Sequence, residues 1–220
     1  MESGCGRSDE MKRLLVKFGF LLLILLLVAG KLSVTAEERL SAARVNEDFR
    51  VDSPLEMWTK STTVYDNNFS GNLSLRLYAG FNQKFLFLGF YVRDSFLTFA
   101  DDFTLDFQGS DHLRIHFQSD PEAAKTPVTL YLLPSSKIKE PLFNIAGASW
   151  RHSSITVNSV PGKAAYFYSV AIDRSNLRPT WQREIPLQIG LHDVNSQGKV
   201  DLYWLFGTGP KDHGTLVLSQ

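Results

Sequence analysis

Residues 85–92 (FLFLGFYV) form an unbroken apolar run that stops at Arg93 and Asp94. That pattern predicts a strand buried on both faces. His112–Phe117 behaves differently. Leu113, Ile115 and Phe117 fall on one face of a period-two element, and His112, Arg114 and His116 on the other, as in a half-buried strand. Leu73, Leu75, Leu77 and Ala79 alternate with Ser74, Arg76 and Tyr78, and residues 80–83 (GFNQ) turn this strand into the 85–92 strand as a hairpin. Further strands are predicted at 128–133, 154–160, 164–172, 185–193, 200–206 and 214–218, with turns at Pro161-Gly162 and at 195–198 (NSQG).

The connections carry less pattern. Residues 37–46 read as a short polar, helical lead-in, and the extended stretch after Phe49 turns at Ser53-Pro54 because a residue before proline avoids helix. Residues 95–108 and 135–149 read as loops, and 173–177 as a single turn. About nine or ten short strands with almost no helical period predict an all-β fold. The expected architecture is an antiparallel two-sheet β-sandwich of immunoglobulin-like or jelly-roll type.

The N-terminal segment has another character. Lys12, Arg13 and Lys17 precede the apolar stretch 18–30, and Val34, Thr35 and Ala36 precede Glu37. A basic region, a short apolar region and small residues before a polar one describe a signal helix. The division is therefore a signal peptide or signal anchor at 1–36, a linker at 37–48 and the sandwich at 49–220. The apolar stretch is short against the roughly 20 residues of a membrane span, so any membrane attachment runs through an uncleaved anchor. The expected location is exported: periplasm, cell envelope or secreted.

Cleavage after Ala36 leaves 184 of the 220 residues and removes Cys5, the single cysteine. A domain of that size needs no disulfide staple. Five of the 23 Lys and Arg and three of the 23 Asp and Glu go with it, leaving 18 and 20 and a net charge of −2. A nearly neutral domain without a basic run gives no support for nucleic-acid binding.

The order of these features resembles the family 9 carbohydrate-binding modules and their DOMON-like β-sandwich relatives, from about Phe49 to Leu218. RVDSPLEMW resembles the opening D-G-x-x-x-x-W element, with Ser53 in place of glycine. LRLYAGFNQKFLFLGFYVRDS, residues 75–95, resembles the family hairpin ending in V-x-D, GSDHLRIHF resembles G-D-x-x-E-I-F, and YSVAIDRSNL resembles the E-x-x-I-P-W-x-x-L strand and turn. IPLQIGLHDVNSQGK resembles I-G-F-x-x-x-V-N-D-x-D-x-x-G, and YWLFGTGPKDHGTLVL the terminal element. Each motif is weak alone; six in order specify the fold more sharply than the ligand.

The resemblance implies sugar recognition by flat aromatic faces and planar polar side chains. It also shows departures. The family's two clamping tryptophans fall near Phe107 and in the final loop, 207–213, and neither place carries a tryptophan here. Arg114 stands where the family carries an acid, His192 where it carries asparagine, and Asp193 keeps its match. Trp204 matches a family tryptophan that is usually structural; Trp58 and Trp181 read as core or edge residues, and Trp150, in WRHSS, as equally core or exposed. The candidate ligand-binding residues are Phe107, His112, Arg114, His116, His192, Asp193 and Trp204, with Arg114 favouring an anionic glycan such as a uronic acid. The competing reading of the His112–Arg114–His116 face is a solvated outer surface.

Asp101, Asp102 and Asp106 share one loop and offer oxygen ligands for a structural calcium ion of the kind such sandwiches carry. Their spacing matches no EF-hand, and a solvated acidic loop is the simpler reading. His112, His116 and His192 are a weak transition-metal set, because spacing links only the two on one strand. No G-x-S-x-G, H-E-x-x-H or P-loop occurs, so no catalytic residue is assigned. The sequence thus reads first as an exported, non-catalytic carbohydrate-binding domain serving polysaccharide catabolism or envelope glycan binding. The alternative is a structural or protein-interaction domain of the cell envelope without sugar binding. A third reading, haem binding as in DOMON-like relatives, would have Met57 or a histidine as axial ligand, Met57 being the sole methionine after residue 36.

Overall fold

The computed structural model describes residues 38–99, 109–117, 128–134, 142–146, 150, 155–161, 164–177, 181, 183–209 and 211–219. All of them belong to the unit Glu37–Gln220. The signal-peptide segment 1–36, Phe107 and the acidic trio Asp101, Asp102 and Asp106 lie outside the described residues. No helix among the described residues is long and apolar enough to cross a membrane.

A 3-10 turn lies at Arg174–Asn176, where the sequence predicts a turn. The described chain otherwise forms twelve strands and one short α-helix. They are β1 (Arg39–Arg44), α1 (Leu55–Ser61), β2 (Thr63–Asn68), β3 (Leu73–Phe81), β4 (Phe85–Asp94), β5 (His112–Phe117), β6 (Val128–Leu133), β7 (Leu142–Ala146), β8 (Ile155–Pro161), β9 (Ala165–Asp173), β10 (Glu184–Val194), β11 (Val200–Trp204) and β12 (Gly214–Leu218). Sheet A runs β7-β6-β5-β10-β12, with β11 also paired to β10; sheet B runs β3-β4-β9-β8, with β2 also on β3. β1 joins them: Arg39–Ala42 pairs with β12, and Ala43 and Arg44 with β3. Both β1 pairings are parallel and every other pairing is antiparallel. The two-sheet all-β sandwich expected from the pattern is present, closed along one edge almost into a barrel.

Three expectations need correction. Residues 37–46 are not a helical lead-in, nor 37–48 a linker, because β1 inserts between the two sheets and buries Leu40 and Ala42. Pro54 does not simply turn an extended stretch. It opens α1, where its missing N–H costs nothing. β7 occupies part of the presumed 135–149 loop and pairs with β6 from Thr129↔Ala146 to Leu133↔Leu142. β1 is a pairing event between distant segments, and β7 a short strand with weak alternation of its own; local pattern underdetermines both.

The main core lies between the sheets. Leu75, Leu77, Leu86, Leu88 and Phe90 of sheet B meet Leu113, Ile115, Leu130, Leu187 and Ile189 of sheet A, all nearly inaccessible. Burying each such side chain contributes about 1.5–3 kcal/mol relative to exposure. β4 is buried on its other face too, as its unbroken apolar run requires. There Phe87 joins Val45, Phe49, Trp58, Tyr78, Phe167 and Ala171 in a second cluster, beneath α1. Trp58 is fully buried, edge-on to Phe49 at 4.9 Å and Phe167 at 5.7 Å. It rests on Gly89, where an added Cβ would come within 2.9 Å of its ring.

Trp58 is the largest side chain holding α1 to sheet B, and its loss leaves a cavity on the outer side of β4. Trp58→Ala should therefore lower unfolding free energy by about 3–5 kcal/mol in denaturant melts; Met57→Ala, at an exposed position one residue away, should change it by less than about 0.5 kcal/mol.

Candidate functional site

Pairing places β11, β10, β5, β6 and β7 side by side. Register links Trp204 to Gly190, Gly190 to Arg114, Arg114 to Tyr131 and Tyr131 to Asn144. Directly paired antiparallel residues share a face, so these five form one row on the face of sheet A opposite the core. Flanking rows carry His116 with Thr129 and Gln188, and His112 with His192.

The polar face of β5 is not a solvated surface. His112 and His192 are buried, while Arg114, His116, Tyr131, Asn144 and Trp204 are half-buried. The His112 and His192 rings stack with centroids 4.2 Å apart. Both Nδ1 atoms reach the Ser110 carbonyl, at 2.9 and 3.2 Å. A carbonyl only accepts, so Nδ1 of His112 carries the proton and its Nε2 is free to accept from Arg114 Nε at 2.9 Å. Burial is the main reason that His112 is pushed down to about 3 and His192 to about 4, aided by the Arg114 charge. Both are neutral near pH 7.

Arg114 is thereby aimed along its row, with its guanidinium 5.8 Å from the Tyr131 ring centroid. Burial lowers its pKa, and Tyr131 acts the other way. Among the described residues no carboxylate pairs with it. His116 is also lowered, by burial first and then by Arg114. Its Nδ1 bonds Thr129 Oγ1 at 2.8 Å, and its buried Nε2 has no partner among the described residues.

Trp204 supplies the flat apolar surface. Its ring lies across Gly190, where a Cβ would come within 2.7 Å, and packs beside His116 at 5.7 Å. Gly190 is thus a site of close approach that any side chain would obstruct. Buried Gln188 fixes the final loop through the Phe206 and Gly209 carbonyls and the Phe206 N–H. Asp212 accepts N–H bonds from Thr208 and Gly209 at 2.7 and 3.0 Å within that loop.

Of the sequence candidates, the fold brings together His112, Arg114, His116, His192 and Trp204. It does not bring Asp193 to them. Asp193 follows His192 by one residue and so points to the opposite face, near Asp94 and Asp111 at one end of the sandwich. Burial pushes Asp193 up to about 6 and Asp111 to about 7, with neighbouring carboxylates adding to the shift. The histidines form no three-ligand group among the described residues, since His112 spends both ring nitrogens on Ser110 and Arg114. Trp181 is buried 6.3 Å from Phe117, and half-buried Trp150 packs on the same ring at 4.9 Å, so both serve the core. Met57 is exposed on α1. Sequence reasoning missed Tyr131 and Asn144. Alternation within VTLYLL identifies the face of Tyr131, but its place beside Arg114 depends on register.

No known protein family and no curated protein matches the sequence. Solved structures do match the fold. A family 9 carbohydrate-binding module from Caldicellulosiruptor kristjanssonii in complex with glucose superposes with a TM-score of 0.61 at 12% identity, covering 83% of this chain and 96% of that one. The same type of module from that organism in complex with cellotriose gives 0.59 at 12%, covering 82% and 93%. A structure from Bacteroides uniformis gives 0.53 at 8%, covering 84% and 100%. The chain therefore has the β-sandwich fold of the family 9 modules, as its motif order implies.

The neutral state of His112 has a measurable consequence. The unfolded chain takes up a proton near pH 6.5, whereas the folded ring does so only near 3. The resulting stability is complete above the unfolded value and falls as pH drops below it. Relative to His112→Asn, the wild type should lose about 2 kcal/mol of unfolding free energy between pH 7.5 and pH 5. Chemical denaturation of both proteins at the two pH values measures this difference and cancels the opposing titration of the carboxylates. A difference independent of pH would contradict the neutral, buried imidazole.

Proposed function

We propose that this chain is an exported, non-catalytic carbohydrate-binding domain whose ligand lies on the outer face of sheet A. The observation that carries the reading is the cross-sheet row of Trp204, Arg114, Tyr131 and Asn144. A half-buried indole offers a flat apolar surface to the C–H face of a pyranose. A guanidinium and an amide on neighbouring strands offer planar polar groups for its substituents. The fold of modules solved with glucose and cellotriose supports the ligand class.

Arg114 shifts that class toward acidic sugars. Its Nε is committed to His112, leaving the terminal amino groups to meet a carboxylate in fork geometry. Neutral histidines beside it add no second positive charge. A uronic acid-containing oligosaccharide matches this set, with the pyranose ring on Trp204 and the carboxylate on Arg114. His112 and His192 act as positioning residues behind Arg114. We assign no catalytic role to the chain, and read residues 1–36 as its export signal.

Calorimetric titration of the purified protein with neutral and uronic acid-containing oligosaccharides tests the proposal. Acidic oligosaccharides should bind, and Arg114→Ala should weaken them at least tenfold, about 1.4 kcal/mol. Trp204→Ala should weaken binding of the acidic ligands comparably. A folded protein that binds none of them would instead favour a protein-interaction domain of the cell envelope.

A further inference from the structure

α1 covers sheet B around Gly89 but leaves open the part beside β8. There the register places Phe87 next to Ala171 and Ala171 next to Thr156, and paired residues share a face. The short side chain of Ala171 leaves a depression between Phe87 and β8. The segment ahead of α1 forms the opposite wall. It turns through the Phe49 N–H to the Asn46 carbonyl at 3.1 Å and the Ser53 N–H to the Arg50 carbonyl at 3.2 Å. The buried Ser169 hydroxyl ties it to the sheet by donating to the Val51 carbonyl at 2.7 Å. Wall and floor bound a cleft of about 520 Å³, within the roughly 300–1,000 Å³ of small-ligand sites.

The lining carries polar groups that the fold does not use. Asn82 is only 3% exposed. Its Oδ1 accepts the Lys84 and Phe85 N–H groups at 3.0 and 2.8 Å, closing the turn between β3 and β4. Its Nδ2 donates to none of the described residues, and an interior amide donor left without an acceptor is costly. On the β8 side, half-buried Asn158 also makes no side-chain hydrogen bond among the described residues. Both residues line the cleft.

Charge then narrows the ligand. Glu47, Asp48 and Asp52 line the same space as Arg50 and Lys84, and none of the five forms an ion pair among the described residues. An anion meets three carboxylates there, a cation meets an ammonium and a guanidinium, and a lipid chain strips water from all of them. A neutral ligand dense in hydroxyls escapes each penalty. Its hydroxyls donate to carboxylates and accept from amides and cations, while half-buried Phe85 offers an apolar surface to the C–H side of a pyranose.

We infer that this cleft is a second ligand site, taking a neutral sugar on the side of the sandwich opposite the Trp204–Arg114 row. The Asn82 Nδ2 and the Asn158 amide orient its hydroxyls. The two sites share no residue, so the inference stands apart from the acidic ligand proposed for sheet A.

Calorimetric titration with neutral disaccharides and trisaccharides of glucose, mannose, galactose and xylose tests it in the wild type, Asn82→Asp, Asn158→Ala and Arg114→Ala. At least one of these sugars should bind saturably. Asn82→Asp keeps the acceptor that closes the turn and removes the donor, so it should weaken that sugar about tenfold. Asn158→Ala should weaken it about fivefold, and Arg114→Ala should leave it unchanged. Should Asn82→Asp unfold early in a thermal melt, Asn158→Ala, at a half-buried position, carries the test. A wild type that binds no neutral sugar overturns the inference, even where acidic sugars bind. Neutral-sugar binding that Arg114→Ala abolishes, or that the folded cleft variants leave intact, overturns it too by placing the ligand elsewhere. Neutral sugars held by the cleft while acidic ones fail to bind uphold it and refute the sheet A reading alone.

Discussion

β4 must be buried on both faces, and the rest of the structure follows from that demand. Its inner face supplies Leu86, Leu88 and Phe90 to the core between the sheets. Its outer face supplies Phe87, which water would otherwise reach. The N-terminal segment answers this by folding α1 over sheet B, with Trp58 set into the space above Gly89. Before α1, β1 carries the chain between the two sheets and closes one edge. Sheet B is thereby covered by α1, while the outer face of sheet A carries the row of Trp204, Arg114, Tyr131 and Asn144.

On sheet A the outer face is polar yet largely buried, so its groups must satisfy one another. The Ser110 carbonyl accepts from both stacked histidines, His112 accepts from Arg114, and Thr129 bonds His116. Desolvation keeps the imidazoles neutral, so Arg114 is the positive charge of the cluster. This is a pre-organised arrangement: the cost of ordering the guanidinium is met during folding, before any ligand arrives. The two faces of β10 thus divide the work. Gly190 admits Trp204 on the outer face, while Asp193 turns inward to join the carboxylates of the sandwich end.

Much of this was legible in residue order. The double burial of β4, the alternation of β5 and the turn at 195–198 all appear in local pattern, and the structure contains each. Arg114, His112, His116, His192 and Trp204 were legible as candidates because they stand at motif positions of a known fold, and the fold groups them on one face. Tyr131 and Asn144 were not, because neither β6 nor the short β7 reveals from its own sequence which residue lies beside Arg114. Asp193 was misplaced for a related reason. Adjacent residues in a strand face opposite ways, so a motif containing both His192 and Asp193 places them on two different faces.

The sequence by itself determined the all-β class, the strands with strong apolar period, and the departure from the tryptophan clamp of the family 9 modules. These depend on side-chain type and spacing, which are local. Tertiary structure alone decided that β1 bridges two sheets, that the His112–Arg114–His116 face is enclosed rather than solvated, and that Asp94, Asp111 and Asp193 meet. The physical reason is that register and sheet order are settled by packing between segments some 80–100 residues apart, such as Asp94 and Asp193. The energy of a contact at that range is invisible in the pattern of either segment alone.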